Sequence, residues 1–247
     1  MEKGGARVRA RRLSGVRRRA TVAAMTLAPW CAHHAGFVTG LLAEARIAAP
    51  LGPAEAGGGL PPGARAAAER LLARGVTALV SFGLCGGLDP MVRPGALIVP
   101  RAVLSAGRRY DTDATLSAAL GGRSAEALLA GEAAAAEPAS KRRLFEATGA
   151  AAIDLESGAV AEVAAGTGLP FAVLRAVCDA AEQTLPPAAL AALDPRGGVS
   201  VWAVTGSLLR EPGQLRALIA LGRAASAARA ALVRRVGDIR DGRFLVP

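Results

Sequence analysis

The chain has 247 residues, 52% of them hydrophobic, 20% charged and only 3% aromatic, with a formal net charge of +10. That balance rules out a disordered or collagen-like chain, the length suits one large α/β domain, and so few aromatics argue against a stacking platform for single-stranded nucleic acid. Cys31, Cys85 and Cys178 show no C-x-x-C spacing, which argues against a disulfide framework and against a zinc cluster; no metal and no organic cofactor is expected.

Seven of the ten net positive charges fall in residues 1–19, where eight Arg and Lys side chains face the single acid Glu2. The charge therefore describes a tail, read as a solvated arm, with contact to anionic lipid or nucleic acid as the sharper alternative. Residues 1–35 are set apart as an N-terminal extension, with Met25 a second candidate start, and no nucleic-acid partner is expected. The uncharged run 20–43 has the length of a membrane span, but Pro29, Trp30, His33, His34, Gly36 and Gly40 interrupt it. Neither a span nor an export signal is read there, so a cytoplasmic protein is expected.

Residues 36–247 read as one domain. A first candidate strand at 37–42 runs out into Glu44, which either faces a site at the strand edge or is solvated. Gly57-Gly58-Gly59 precede a candidate helix at 64–74, which starts behind Pro61-Pro62-Gly63 and stops at Gly75. Bare backbone N–H groups ahead of a helix cradle anions, although glycine runs are also how flexible loops read.

The candidate strand 76–82 leads into Gly83-Leu84-Cys85-Gly86-Gly87. As G-x-C-x-G this imitates a nucleophile elbow with Cys85 attacking a carbonyl. That chemistry needs a histidine base after the nucleophile, and His33 and His34 both precede it. A glycine turn at the carboxyl end of a strand, where a ligand approaches the backbone closely, is the better reading.

A short strand is expected at 96–99, residues 121–137 are too rich in Ala and Gly to assign, and a helix is expected at 140–148. A strand at 150–155 carries Ile153-Asp154-Leu155-Glu156-Ser157. Asp154 and Glu156, two apart, point to one side; the competing reading is that they cap the next helix, at 157–166. The strand 169–177 holds Arg175 at mid-strand, where a charge requires an acidic partner, Asp154 or Glu156 being the candidates. Asp179 ends it, the position where α/β sheets present catalytic groups. From residue 186 the chain reads as helical to 236, with a helix at 214–236. The expected fold class is three-layer α/β/α, with a mixed, largely parallel central sheet and this helical appendage.

In order and spacing these motifs resemble the nucleoside phosphorylase and nucleosidase superfamily. Gly83-Leu84-Cys85-Gly86-Gly87-Leu88 followed by Gly95-Ala96-Leu97-Ile98-Val99 is similar to its glycine turn and next strand. Asp154-Leu155-Glu156-Ser157 is similar to its carboxylate element, and Arg175-Ala176-Val177-Cys178-Asp179 to its strand ending R-x-x-S-D. The tail resembles the hopanoid-associated branch, which removes adenine from adenosylhopane to leave ribosylhopane.

The resemblance implies cleavage of a purine N-glycosidic bond. Asp179 would act as general acid at purine N7 and Glu156 would hold the ribose hydroxyls. Cys85 and Gly86 would line the purine, with Asp154, Leu155, Arg175 and Cys178 completing the substrate site. Gly57, Gly58, Gly59, Arg65, Ser81 and Glu44 would hold phosphate or water. Phosphorolysis of adenosylhopane, with inorganic phosphate as co-substrate, is the leading expectation and a hydrolytic nucleosidase the alternative. A non-catalytic nucleotide- or nucleic-acid-binding protein is the alternative of another class. A homo-oligomer is expected, with a lipid-linked substrate and peripheral contact with the inner face of a membrane as further expectations. Cys178 stands where the family has serine and Leu84 where it often has a hydroxyl.

Overall fold

The computed structural model describes Met1, residues 34–191 and residues 201–243. The expected extension 1–35 lies outside the described residues, except for Met1, His34 and Ala35. Strands β1 (Ala35–Thr39), β2 (Ala54–Ala56), β3 (Ala78–Gly87), β4 (Leu97–Ile98), β5 (Pro100–Ser105), β6 (Arg108–Asp111), β7 (Ala125–Ala130), β8 (Ala152–Asp154) and β9 (Phe171–Asp179) form one mixed sheet. Its path runs β2-β1-β3-β8-β7-β5-β6, with β9 joined to β3 and β4 to β9. Helices α1 (Leu42–Ala48), α2 (Pro61–Ala73), α3 (Ala114–Ala119), α4 (Pro138–Thr148) and α5 (Ser157–Thr167) connect the strands. After β9 follow α6 (Pro187–Ala191), α7 (Val201–Arg210), a 3-10 turn (Pro212–Gln214) and α8 (Leu215–Arg240).

Alternation along buried strands sends successive side chains to opposite layers. Leu79, Phe171, Val173 and Val177 pack with Leu71 of α2 and Val160 and Val163 of α5. Their neighbours Val80, Phe82, Ala172 and Leu174 pack with Leu116 of α3 and Leu232, Val236 and Ile239 of α8. Phe37 and Phe82 meet edge to face, with ring centroids 6.1 Å apart. These two apolar layers enclose the sheet, and each fully buried Leu or Phe contributes roughly 1.5–3 kcal/mol.

β3 organises the molecule. It runs parallel to β1 (Phe37 opposite Val80) and to β9 (Leu79 opposite Phe171), while its last residues turn antiparallel to β8, Gly86 facing Ile153. The β3–β9 register shifts between Cys85 and Gly86, so that Gly86 comes opposite Asp179. The glycine run expected as a turn is therefore strand, kinked by a bulge.

Other elements depart from expectation. β1 stops at Thr39 because α1 starts at Leu42, and the unassigned stretch 121–137 contains β7, parallel to both β5 and β8. Only Leu97 and Ile98 of the strand expected at 96–99 enter the ladder, paired with β9, after which the chain continues into the β5–β6 hairpin. In the tail, the second half of α8 covers the sheet, while Leu209, Leu215 and Ile219 are exposed. Gln214 joins the appended helices, its Oε1 accepting from Ala188 N at 2.9 Å and its Nε2 donating to Ser207 O and Oγ at 3.0 Å. Among the described residues no helix is long and apolar enough to cross a membrane.

Candidate active site

Three chain segments meet where β3 bends. The end of β3 brings Cys85 and Gly86, the end of β9 brings Cys178 and Asp179, and β8 delivers Asp154, Leu155 and Glu156 at the start of α5. All line a cavity of about 220 Å³, together with Glu44 and Gly59. Leu41, Ile153 and Leu185 give it apolar walls.

Arg175 lies beneath this cavity, 1% exposed. On the strand face shared with α5 it sits opposite Gly83. Its Nη2 is 3.0 Å from Glu156 Oε2 and donates to Ser81 Oγ at 2.7 Å, its Nη1 donates to Leu84 O at 3.2 Å, and its Nε is 2.7 Å from Asp154 Oδ2. Both acids proposed as partners thus share this one guanidinium. The surrounding carboxylates hold it protonated: burial pulls its pKa down, but Asp154, Glu156 and Glu44 outweigh burial and raise it.

Asp154 also caps α5, accepting from Ser157 N at 3.2 Å and from the Ser157 hydroxyl. The capping reading and the site reading both describe it. Glu156 faces the cavity, and burial pushes its pKa up to about 7; Arg175 draws it back, and Asp154 and Glu44 push it further up.

Glu44 belongs to the first turn of α1, and its side chain holds three backbone donors. Oε2 accepts from Gly40 N at 3.0 Å and Leu41 N at 2.9 Å, and Oε1 accepts from Leu84 N at 3.0 Å. Burial raises its pKa, opposed by Arg175 and those three N–H groups. Gly83, at φ 151°, has no room for a side chain: a Cβ would stand 2.7 Å from Glu44 Oε2 and 2.8 Å from Arg175 Nη1. At Gly40 a Cβ would overlap Glu156 Oε1. The two glycines let three ionisable side chains, Glu44, Glu156 and Arg175, converge.

Asp179 is buried, and its Oδ2 is ion-paired with Lys141 Nζ. Its Oδ1 accepts the Cys178 thiol at 3.2 Å. Burial, more than the neighbouring Asp179, pushes the Cys178 thiol well up, and burial does the same for Cys85, so both stay S–H. Sequence reasoning missed Lys141. The signal it left is compositional: apart from Lys3 it is the one lysine in a chain with 28 arginines.

The remaining candidates for anion binding are placed differently. Ser81 is buried below the floor, between Arg175 and the Ser157 hydroxyl at 2.9 Å. Arg65 lines a separate hollow between α2 and α5 and pairs with Glu162. Gly57 packs on Gly63 and Ala64, and of the three glycines only Gly59 lines the cavity. Among the described residues, no group of three or more His, Cys, Asp or Glu is placed to hold a metal ion.

The value of about 7 for Glu156 against an ordinary 4.5 predicts a stability signature. Between those values the folded state keeps a proton that the unfolded chain has released. Stability therefore falls as pH rises from 4.5 to 7 and stays low above that range. In Glu156→Gln the slope should shrink, with Glu44, raised in the same direction, retaining part of it. Urea unfolding at about pH 5 and about pH 8 measures the change. An unchanged slope in the variant would assign it to other groups.

A mixed, largely parallel sheet between two helical layers is an α/β fold shared with solved structures of known proteins. The Helicobacter pylori 5′-methylthioadenosine/S-adenosylhomocysteine nucleosidase is similar with a TM-score of 0.62 at 12% identity, over 84% of this chain and 97% of that one. The S-adenosylhomocysteine nucleosidase of Streptococcus pyogenes gives 0.57 at 15%, over 81% and 94%. Futalosine hydrolase of Helicobacter pylori gives 0.58 at 14%, over 83% and 97%. No curated relative matches by sequence at a significant level. The sequence profile of the Phosphorylase superfamily matches residues 28–126 and 127–193, and the chain belongs to that superfamily.

Proposed function

We propose that the protein is a nucleosidase that cleaves the N-glycosidic bond of an adenine nucleoside, with water as the nucleophile. The observation that carries the choice of water is Glu44. The backbone N–H groups of Gly40, Leu41 and Leu84 are what a phosphate would use at this wall, and all three already donate to its carboxylate. A buried carboxylate repels an anion and accepts a proton from water. Ser81 and Arg65, the other side chains expected to hold phosphate, are engaged with Arg175, Ser157 and Glu162. These contacts favour the hydrolytic alternative over phosphorolysis, the leading expectation from the sequence.

In the reaction the C1′–N9 bond breaks and its electron pair passes to the purine. Asp179 gives a proton to N7, Glu156 holds the ribose hydroxyls against the developing oxocarbenium ion, and Glu44 takes the proton of the water that attacks C1′. Adenosylhopane is the substrate we favour. Its support is the resemblance of the tail and an apolar rim: Leu42 and Leu60, beside the lining residues Leu41 and Gly59, are 50% and 45% exposed. A lipid-linked substrate would bring this rim to the inner face of a membrane, and self-assembly would narrow the mouth.

The test is release of free adenine from adenosine and from adenosylhopane, with and without inorganic phosphate. Equal rates and a free reducing sugar are expected in phosphate-free buffer; a strict requirement for phosphate would overturn the assignment of water. Glu44→Gln should lower the hydrolytic kcat by about 100-fold or more, read in the same assay.

A further inference from the structure

Lys141 is fully buried, and its ammonium serves a single stretch of chain. It pairs with Asp179 Oδ2 and donates to Ala180 O at 2.8 Å and Gln183 O at 2.9 Å. All three of its protons are thereby used, each on the end of β9 or the turn after it. A planar guanidinium fork would not make these three divergent bonds from one atom, which gives a physical reason for lysine here in an arginine-rich chain. The same turn is tied at Leu185, whose N donates to Ala136 O at 2.9 Å and which lines the cavity. With Oδ2 held by α4, Oδ1, which accepts the Cys178 thiol at 3.2 Å, is the oxygen of Asp179 not tied to Lys141. The ionisable groups around it are Lys141 from α4, Cys85 from β3, Cys178 on β9 and, farther across the cavity, Glu156 and Glu44.

We propose that Lys141 is a positioning residue for departure of the base: it fixes the Asp179 carboxyl with Oδ1 toward the purine and neutralises the carboxylate formed when the proton leaves. This rests on the nucleosidase reading above. The step requires a proton on Oδ1, with Lys141 donating to Oδ2. As the C1′–N9 electrons pass to the purine, the Oδ1 proton moves to N7 and adenine leaves neutral. The new carboxylate faces an ammonium already in place, so its charge develops without reorganisation. The water oxygen bonds to C1′, and its proton passes to Glu44.

The experiment compares adenosine with N7-methyladenosine, whose base is already cationic and departs without a proton. In Lys141→Met, kcat on adenosine should fall about 30–100-fold with KM within about threefold, while turnover of N7-methyladenosine stays within about threefold of the unmodified protein. Lys141→Gln, which keeps a donor but no charge, should show the same selective loss and serves if the Met variant does not fold. An equal loss on both substrates would reduce Lys141 to scaffolding and overturn the proposal, as would no loss on either. Failure of the unmodified protein to release base from both nucleosides would instead overturn the nucleosidase reading beneath it.

Discussion

Asp179→Asn should lower kcat for adenine release by about 10²–10⁴-fold while KM changes little, the range expected when a general acid is removed from bond cleavage. Asparagine keeps the shape of the side chain and one oxygen for Lys141, and its amide can still donate a hydrogen bond to N7. It cannot transfer a proton, so the purine must leave as an anion. The variant should fold, because Ala180 O and Gln183 O continue to accept from the Lys141 ammonium. It should nevertheless melt lower, since a buried cation has lost its counter-charge. Steady-state rates with circular dichroism and a thermal melt separate the two effects. A folded Asp179→Asn protein with activity within about threefold of the parent would remove Asp179 as the acid.

The second large effect concerns stability. Arg175→Met should destabilise the protein by about 3–5 kcal/mol near neutral pH, a large part of the roughly 5–15 kcal/mol that holds a domain together. The guanidinium is the shared cation of Asp154 and Glu156 and lies close to Glu44 across Gly83. Without it, three buried carboxylates face one another with no counter-charge. For a domain of this size the loss corresponds to a drop in Tm of about 10 °C or more. The deficit should shrink as pH falls toward about 5, because protonation removes the repulsion that the substitution exposes. Melts across that range measure it. A deficit that does not change with pH would mean that packing, not charge, is what Arg175 supplies.

The motifs that could be read from sequence share one property: each is a contiguous run at the end of a strand. Gly83–Gly87, Asp154–Glu156 and Arg175–Asp179 carry their chemistry in adjacent residues, and the β3 ladder needs only its apolar run to form. What stayed hidden depends on distance along the chain. Lys141 reaches Asp179 across 38 residues, on a helix whose own pattern says nothing of the strand it will meet. β7 escaped because Ala125–Ala130 has too little contrast between its faces to show a period of two. Ser81 was expected at phosphate only through the family resemblance, and its burial depends on how far β3 runs. Once β3 continues to Gly87, Ser81 lies three ladder steps below the cavity edge, in the layer that supports Arg175. For Glu44 the sequence left open a site at the strand edge or a solvated carboxylate, and the Leu84 amide, brought from β3, is a contact that no local pattern could show.

The register shift between Cys85 and Gly86 sets the freedom of this scaffold to change its substrate. β8 and β9 both pair with β3 at that irregularity, so adding or deleting a residue in β3 would displace Asp179 and Glu156 relative to each other. Variation at Leu42, Leu60 or Leu185 would alter what fits at the mouth and leave that spacing untouched. Redesign for a new nucleoside therefore belongs at the rim, with the bent strand kept as a fixed ruler.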